Sequence, residues 1–281
     1  MLKIIKATAF FLFLILLLAA PIVYVVNTVK GNSLEKIVID AQKGTKGTYG
    51  IYIKHLMSGE NYHDKENMLF DAGSFYKLWV MVAAYEQIKQ DKLREDEELS
   101  ADIATLNKKF DISEDAAEQT EGKITLTVSQ AIFQMITISH NHAALLLTDR
   151  IGISKIAAVL KKYNLDNSSI GNPPKTTAYD MALFFEKLYN GEIINQTYSK
   201  KMLQILKQQK LNDGLPKYLL DDIGVAHKTA EIDFFKHDGG IVFTDKGDYI
   251  IVVLSESDNP AGAADRIANL SEAVYQYFHN R

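Results

Sequence analysis

The 281-residue chain contains no cysteine. Disulfides, thiolate metal sites and cysteine nucleophiles are therefore excluded. The absence is compatible with either side of a membrane, so it does not locate the protein by itself. An excess of basic charge is also lacking. The 31 Lys and Arg stand against 35 Asp and Glu, for a formal net charge of −4. A nucleic-acid partner calls for a basic face, so none is expected. Internal repeats and low-complexity tracts are missing as well. What remains is 47% hydrophobic and 23% charged. This is ordinary globular composition, with length enough for one large domain and a sizeable core.

Long apolar sequence is present at one place. Residues 7–26 are almost unbroken apolar, with Thr8 and Tyr24 the only mildly polar side chains. About twenty such residues span a bilayer core. Lys3 and Lys6 precede the run, while Lys30 and Lys36 follow it, so the positive-inside count does not decide orientation. Leu18-Ala19-Ala20 resembles the end of a cleavable signal, but the run is longer than a usual signal core and Pro21 sits at the new N-terminus. The expectation is a membrane anchor over residues 1–30, with secretion after cleavage as the alternative, and an exported domain over residues 31–281.

Along that domain, apolar spacing predicts a helix over residues 34–41. Alternation predicts a strand over 48–56, with a turn at Ser58-Gly59 and a short second strand near Asn61-Tyr62. A block dominated by helices follows to about residue 206, with Thr127 and Thr176 as caps. Strand signals recur at 224–232, 240–244 and 248–255. Pro260 opens a last helix to about residue 278. Strands do not alternate with helices, so the expected class is α+β. Its antiparallel sheet has the first and last helices on one face and the helical block on the other, all preceded by a transmembrane helix.

Ser74 and Lys77 open a long apolar helix expected over 75–88. Residues at i and i+3 share a helix face, with Cβ atoms about 5–6 Å apart. The amine of Lys77 is thus expected to reach the hydroxyl of Ser74. A serine hydroxyl needs a base to become a nucleophile, and burial lowers the proton affinity of a lysine. The pair alone is weak evidence, because Ser33 and Lys36 repeat its spacing. Downstream, Ser139-His140-Asn141 lies between two expected helices, and Lys228-Thr229-Ala230 lies in an expected strand. A literal Ser257-Asp258-Asn259 comes after that strand, in the wrong order, and reads as a turn and helix cap before Pro260.

These stretches carry a resemblance. From about Leu34 onward the chain resembles the class A β-lactamase-like serine hydrolases, a group with penicillin-binding relatives. The matching stretches are residues 72–78, residues 124–129 running on to 139–144, residues 175–182, and residues 225–229 with 237–242. The resemblance implies that Ser74 attacks an amide carbonyl and becomes acylated, with Lys77 as its base or part of the proton path. It implies that Ser139 relays a proton toward the leaving nitrogen, with Lys228 nearby. Lys228 and Thr229 would bind a substrate carboxylate. Asn141 would bond the substrate amide, and the backbone N–H groups of Ser74 and Glu231 would hold the oxyanion. The implied substrate is a β-lactam or a peptidoglycan peptide, and the implied protein is a monomer with no cofactor and no metal.

Three departures qualify this. The family's Ω-loop glutamate activates the deacylating water, yet residues 165–175 contain no glutamate and only one carboxylate, Asp166. Slow deacylation is therefore expected. Ala230 stands where the signature has glycine, and its methyl is expected to crowd a substrate lying along the strand. His140 replaces an aspartate that is structural in the family.

Other residues have plainer readings. His140 and His142 form a His-x-His pair, but two ligands from one loop are not a metal site without further partners. His227 points to the opposite strand face from Lys228 and reads as structural. Asp238-Gly239-Gly240 reads as a turn rather than part of a dyad with His237. Phe75 and Trp79 read as core, residues 91–98 as a solvated run, and Lys207, Lys210 and Lys217 as scattered surface charges. The competing functional reading is a non-catalytic domain that binds cell wall or a partner in a degenerate cleft.

Overall fold

The computed structural model describes residues 33–281. In chain order the first elements are α1 (Leu34–Ala41), β1 (Thr48–His55), β2 (Asn61–Asp64) and β3 (Phe70–Asp71). A 3₁₀ turn (Gly73–Phe75) leads into α2 (Tyr76–Lys89), β4 (Glu98–Asp102), α3 (Ile103–Lys109) and β5 (Lys123–Thr127). The helices α4 (Val128–Thr137), α5 (Asn141–Ile151) and α6 (Ile153–Lys162) follow, then β6 (Lys175–Thr176), α7 (Ala178–Tyr189) and α8 (Gln196–Leu206). The chain finishes with β7 (Gly224–Ile232), β8 (Phe235–Phe243), β9 (Tyr249–Glu256) and α9 (Pro260–His279).

The early hairpin and the three late strands form one five-stranded antiparallel sheet, in the order β2-β1-β9-β8-β7. The sheet is buried on both faces. On β9, Ile250, Val252 and Leu254 pack with the helical block, while Tyr249, Ile251 and Val253 pack with α1 and α9. This is the period of two that a pleated strand imposes. The α+β arrangement expected from the element order is therefore present. Among the described residues no helix is long and apolar enough to cross a membrane. The span expected at residues 7–26 lies outside them.

The helical block is organised around α2. Residues 77–85 of this helix are buried without interruption, and it packs against α4, α5 and α6. A helix that is apolar all round has no solvent face and must sit inside. Each large side chain so buried contributes roughly 1.5–3 kcal/mol. Thr127 caps α4 in a reciprocal pair with Gln130.

Three expectations about elements need correction. Residue 75 ends a 3₁₀ turn, and the α-helix starts at Tyr76. The cap of α7 is Thr177, whose hydroxyl accepts the Asp180 N–H, because Thr176 is already paired with Phe70 in a two-stranded ribbon. The block is dominated by helices as expected, and β4 and β5 add a second ribbon to it. Their short polar alternation carries too little apolar signal to stand out from loop. Finally, β8 begins at Phe235 rather than residue 240, so His237 and Asp238 are strand residues and not a turn.

Candidate active site

The catalytic candidates come together where the 3₁₀ turn, the α4–α5 loop and β7 meet. Ser74 sits in the turn. Gly73 before it has φ +47°, and a Cβ there would lie 3.3 Å from the Ala230 Cβ on β7. Glycine thus meets two demands at once, a left-handed backbone and close approach to the strand. Asp71, two residues earlier, is fixed from behind. Its carbonyl accepts from His237 Nε2 at 2.8 Å, while His237 Nδ1 accepts the Ser255 N–H at 3.0 Å. Burial pushes the proton affinity of His237 down to about 4, so this imidazole is a neutral strut.

Ser139 occupies the bend between α4 and α5. Its φ is +57°, a conformation that costs a non-glycine residue roughly 1–2 kcal/mol. The bend turns the Ser139 hydroxyl toward Ser74, to which it donates at 2.9 Å. Two amines converge on the same hydroxyl. Lys77 Nζ and Lys228 Nζ each stand 3.1 Å from Ser139 Oγ. Lys77 also donates to the Ser139 carbonyl at 2.5 Å and to Asn141 Oδ1 at 2.6 Å. Lys228 also donates to the Thr229 carbonyl at 2.8 Å.

The hydrogen bonds of Lys77 therefore differ from the direct reach to Ser74 expected from i, i+3 spacing. Ser74 belongs to the 3₁₀ turn rather than to the α-helix, and the amine swings to the α4–α5 loop instead. Ser139 is the connecting hydroxyl.

Both lysines are fully buried. Burial pushes the Lys77 amine down to about 7, against a smaller opposing pull from Glu118. Lys228 is held well below the usual lysine range, first by burial and then by the nearby charge of Lys77, with Asp238 opposing. Two amines with lowered proton affinity beside one hydroxyl can pass a proton to and from Ser74.

A cavity of about 500 Å³ opens over this cluster, lined by Ser74, Ser139, Asn141, Thr229 and Glu231. Its wall also carries Lys210 and Lys236, neither of which the sequence marked as part of a site. Lys210 is thus a cavity-wall residue rather than a scattered surface charge. Lys236 bridges Glu231 and Asp213, each at 2.7 Å. It lies directly across the β7–β8 ladder from Glu231. Reading the hairpin as two full strands around Asp233 would have revealed it. Asp213 and Asn212 belong to a loop held by a buried pair: His227 Nδ1 bonds Asp238 Oδ1 at 2.9 Å, and Asp238 Oδ2 accepts the Leu215 N–H at 2.8 Å.

Ala230 is buried against Gly73 and does not line the cavity. The crowding expected from its methyl is therefore not found, because the side chain points into the core. Asp166 is exposed and lines neither of the two cavities that Ser74 borders. The second of these cavities brings in Glu118, which had no sequence signal at all. Its carboxylate accepts the Asn141 N–H at 2.8 Å.

Solved proteins share this fold. A mutant of PBP-A, solved as its acyl-enzyme complex with penicillin G, is 22% identical at a TM-score of 0.75, covering 88% of this chain and 96% of that one. A β-lactamase from Sphaerobacter thermophilus gives 22% and 0.77, with 88% and 97% covered. A β-lactamase from Chitinophaga pinensis gives 18% and 0.76, with 87% and 99% covered. At these identities the likeness shows the fold. No curated protein matches the chain in sequence. A model of the β-lactamase enzyme family matches residues 32–278, nearly the whole domain, and the chain belongs to that family of β-lactamase-like serine hydrolases.

Proposed function

We propose that the protein is an exported, membrane-anchored serine acyl hydrolase that acts as a monomer on β-lactams or cell-wall peptide amides. The observation that carries the proposal is the convergence of Lys77 and Lys228 on Ser139 Oγ, with Ser139 bonded to Ser74. Ser74 Oγ attacks the amide carbonyl carbon. Its proton passes through Ser139 to the neutral amine of Lys77. The oxyanion is held by the N–H groups of Ser74 and Glu231, which border the same cavity. When the C–N bond breaks, the leaving nitrogen takes a proton back through Ser139. The amines below the cavity, with Thr229, Lys210 and Lys236 on its wall, suit a substrate carboxylate.

Water then has to release the acyl group, and a base for it is hard to identify. Of the carboxylates lining the two cavities, Asp71 pairs with Lys175, while Asp213 and Glu231 pair with Lys236. Glu118 is engaged by the Asn141 N–H. Asp233 sits in the β7–β8 turn. We therefore expect fast acylation and slow turnover. With a chromogenic cephalosporin, a burst of one equivalent followed by a slow steady rate supports this. Rapid steady turnover without a burst contradicts the slow-release step. No reaction with Ser74 contradicts the hydrolase reading.

The binding-only alternative loses one of its supports, since Ala230 does not obstruct the cavity. It also leaves two fully buried amines without a purpose, and burying amines is costly. Export and anchoring rest on the apolar run at residues 7–26.

A further inference from the structure

Beside the serine cluster, on the far side of Asn141, lie Glu118, His140 and His142. One donor atom from each falls within 4.8 Å of the other two. Glu118 Oε2 is 3.2 Å from His140 Nδ1 and 3.8 Å from His142 Nδ1. A tetrahedral ion with bonds of about 2.0–2.1 Å sets its ligand atoms roughly 3.3 Å apart. The three donors are thus already close to a first coordination sphere.

The arrangement behind His142 is more specific than the distances. Asn107 Nδ2 donates to the Gln119 carbonyl at 2.7 Å, which turns Asn107 Oδ1 toward His142 Nε2 at 2.9 Å. That oxygen can only accept, so Nε2 carries the proton and Nδ1 presents a lone pair. The ring is 1% exposed, and Nδ1 has no hydrogen-bond partner. A buried acceptor without a partner needs an explanation. An ion pair with Glu118 would account for His140, but it leaves the His142 lone pair unused. Imidazoles that ligate metal are held in this way, with the second nitrogen donating to a fixed oxygen.

We infer that Glu118, His140 and His142 form a binding site for a divalent cation of the zinc type. Two imidazoles and one carboxylate suit such an ion, whereas magnesium and calcium demand more oxygen ligands. Three protein ligands leave one position open. Glu118 and His142 border a cavity of about 500 Å³ that Ser74 and Asn141 also line. A bound ion would fasten the segment between α3 and β5 to the loop that carries Ser139 and Asn141. The sequence offered only the His-x-His pair. The third ligand comes from a loop brought alongside by the fold.

The inference goes beyond the hydrolase reading and is tested without serine chemistry. The full chain, free of any histidine tag, is stripped with a chelator. It is then titrated with Zn²⁺ by calorimetry and with Co²⁺ by visible absorption, with Mg²⁺ as control. One Zn²⁺ per chain is expected, together with an intense four-coordinate cobalt band and a raised unfolding temperature. Glu118→Gln and His140→Ala, both at partly exposed positions, should each weaken Zn²⁺ binding by at least the roughly 10–100-fold that loss of an outer-shell partner costs. Absence of saturable binding overturns the site, as does a weak six-coordinate cobalt spectrum. Zn²⁺ binding that is unchanged in both variants also overturns it. The cobalt spectrum of the unsubstituted chain decides the matter even if a variant fails to fold.

Discussion

The two layers that cover the central sheet are packed alike but composed differently. Against Val38 of α1 and Ile267 and Val274 of α9 the sheet sets Ile51, Ile251 and Val253 in an apolar interface. Against the helical block it sets an equally buried interface, but Lys77 and Lys228 are sunk into it. The same boundary holds two left-handed residues, Gly73 and Ser139. One layer follows the rule that apolar surface leaves water, apart from the paired His227 and Asp238 beside Leu215. The other sinks two amines into its interior, and both gather on one hydroxyl. Buried charge and backbone strain so concentrated mark where stability was given up for chemistry.

If that contrast is right, substitutions on the two sides should separate reactivity from stability. The largest effect is expected from Ser74→Ala, which should abolish covalent labelling by benzylpenicillin while leaving the unfolding temperature within a few degrees of the parent. Retained labelling would mean that another residue is the nucleophile. Lys77→Met should lower the labelling rate about 10²–10⁴-fold, the usual range for a positioned general base. On the opposite layer, Ile251→Ala should cost about 2–5 kcal/mol in denaturant unfolding yet leave the labelling rate of the folded protein unchanged. A large fall in rate there would erase the contrast.

Smaller effects sharpen it. The Lys77 amine is depressed to about 7, so the neutral base is present above that pH and is lost below it. The labelling rate should therefore level off above about pH 7 and fall about tenfold per unit beneath it. A rate still climbing toward pH 10 would indicate a lysine with ordinary proton affinity. Thr229→Val keeps the shape of the cavity wall and removes one hydroxyl. It should raise KM for a carboxylate-bearing substrate about fivefold, near 1 kcal/mol, with kcat little changed.

The sequence disclosed the parts of this site whose signals are local. Ser74 and Lys77 announce themselves by spacing on an apolar helix, and Lys228 by its strand. The two-sided sheet was legible from the order of elements. Other features required three dimensions. Lys77 turned out to bond Ser139 because the nucleophile sits in a 3₁₀ turn, and no spacing rule separates that from the first turn of an α-helix. Lys236 was hidden because the start of β8 was read five residues late, which removed its position opposite Glu231. Glu118 lies in a polar stretch between α3 and β5 with no periodicity, so only the fold could bring it to His140 and His142. Ala230 looked obstructive because the strand's two faces were not yet assigned to cavity and core.

The central claim is that Ser74, served through Ser139 by buried amines, becomes acylated and stays acylated. Intact-protein mass spectrometry after brief exposure to benzylpenicillin, followed by peptide mapping over time, tests it most directly. The account predicts a single adduct on Ser74 that outlasts removal of free penicillin. The absence of an adduct, an adduct on a different residue, or one that vanishes as fast as it forms would contradict it.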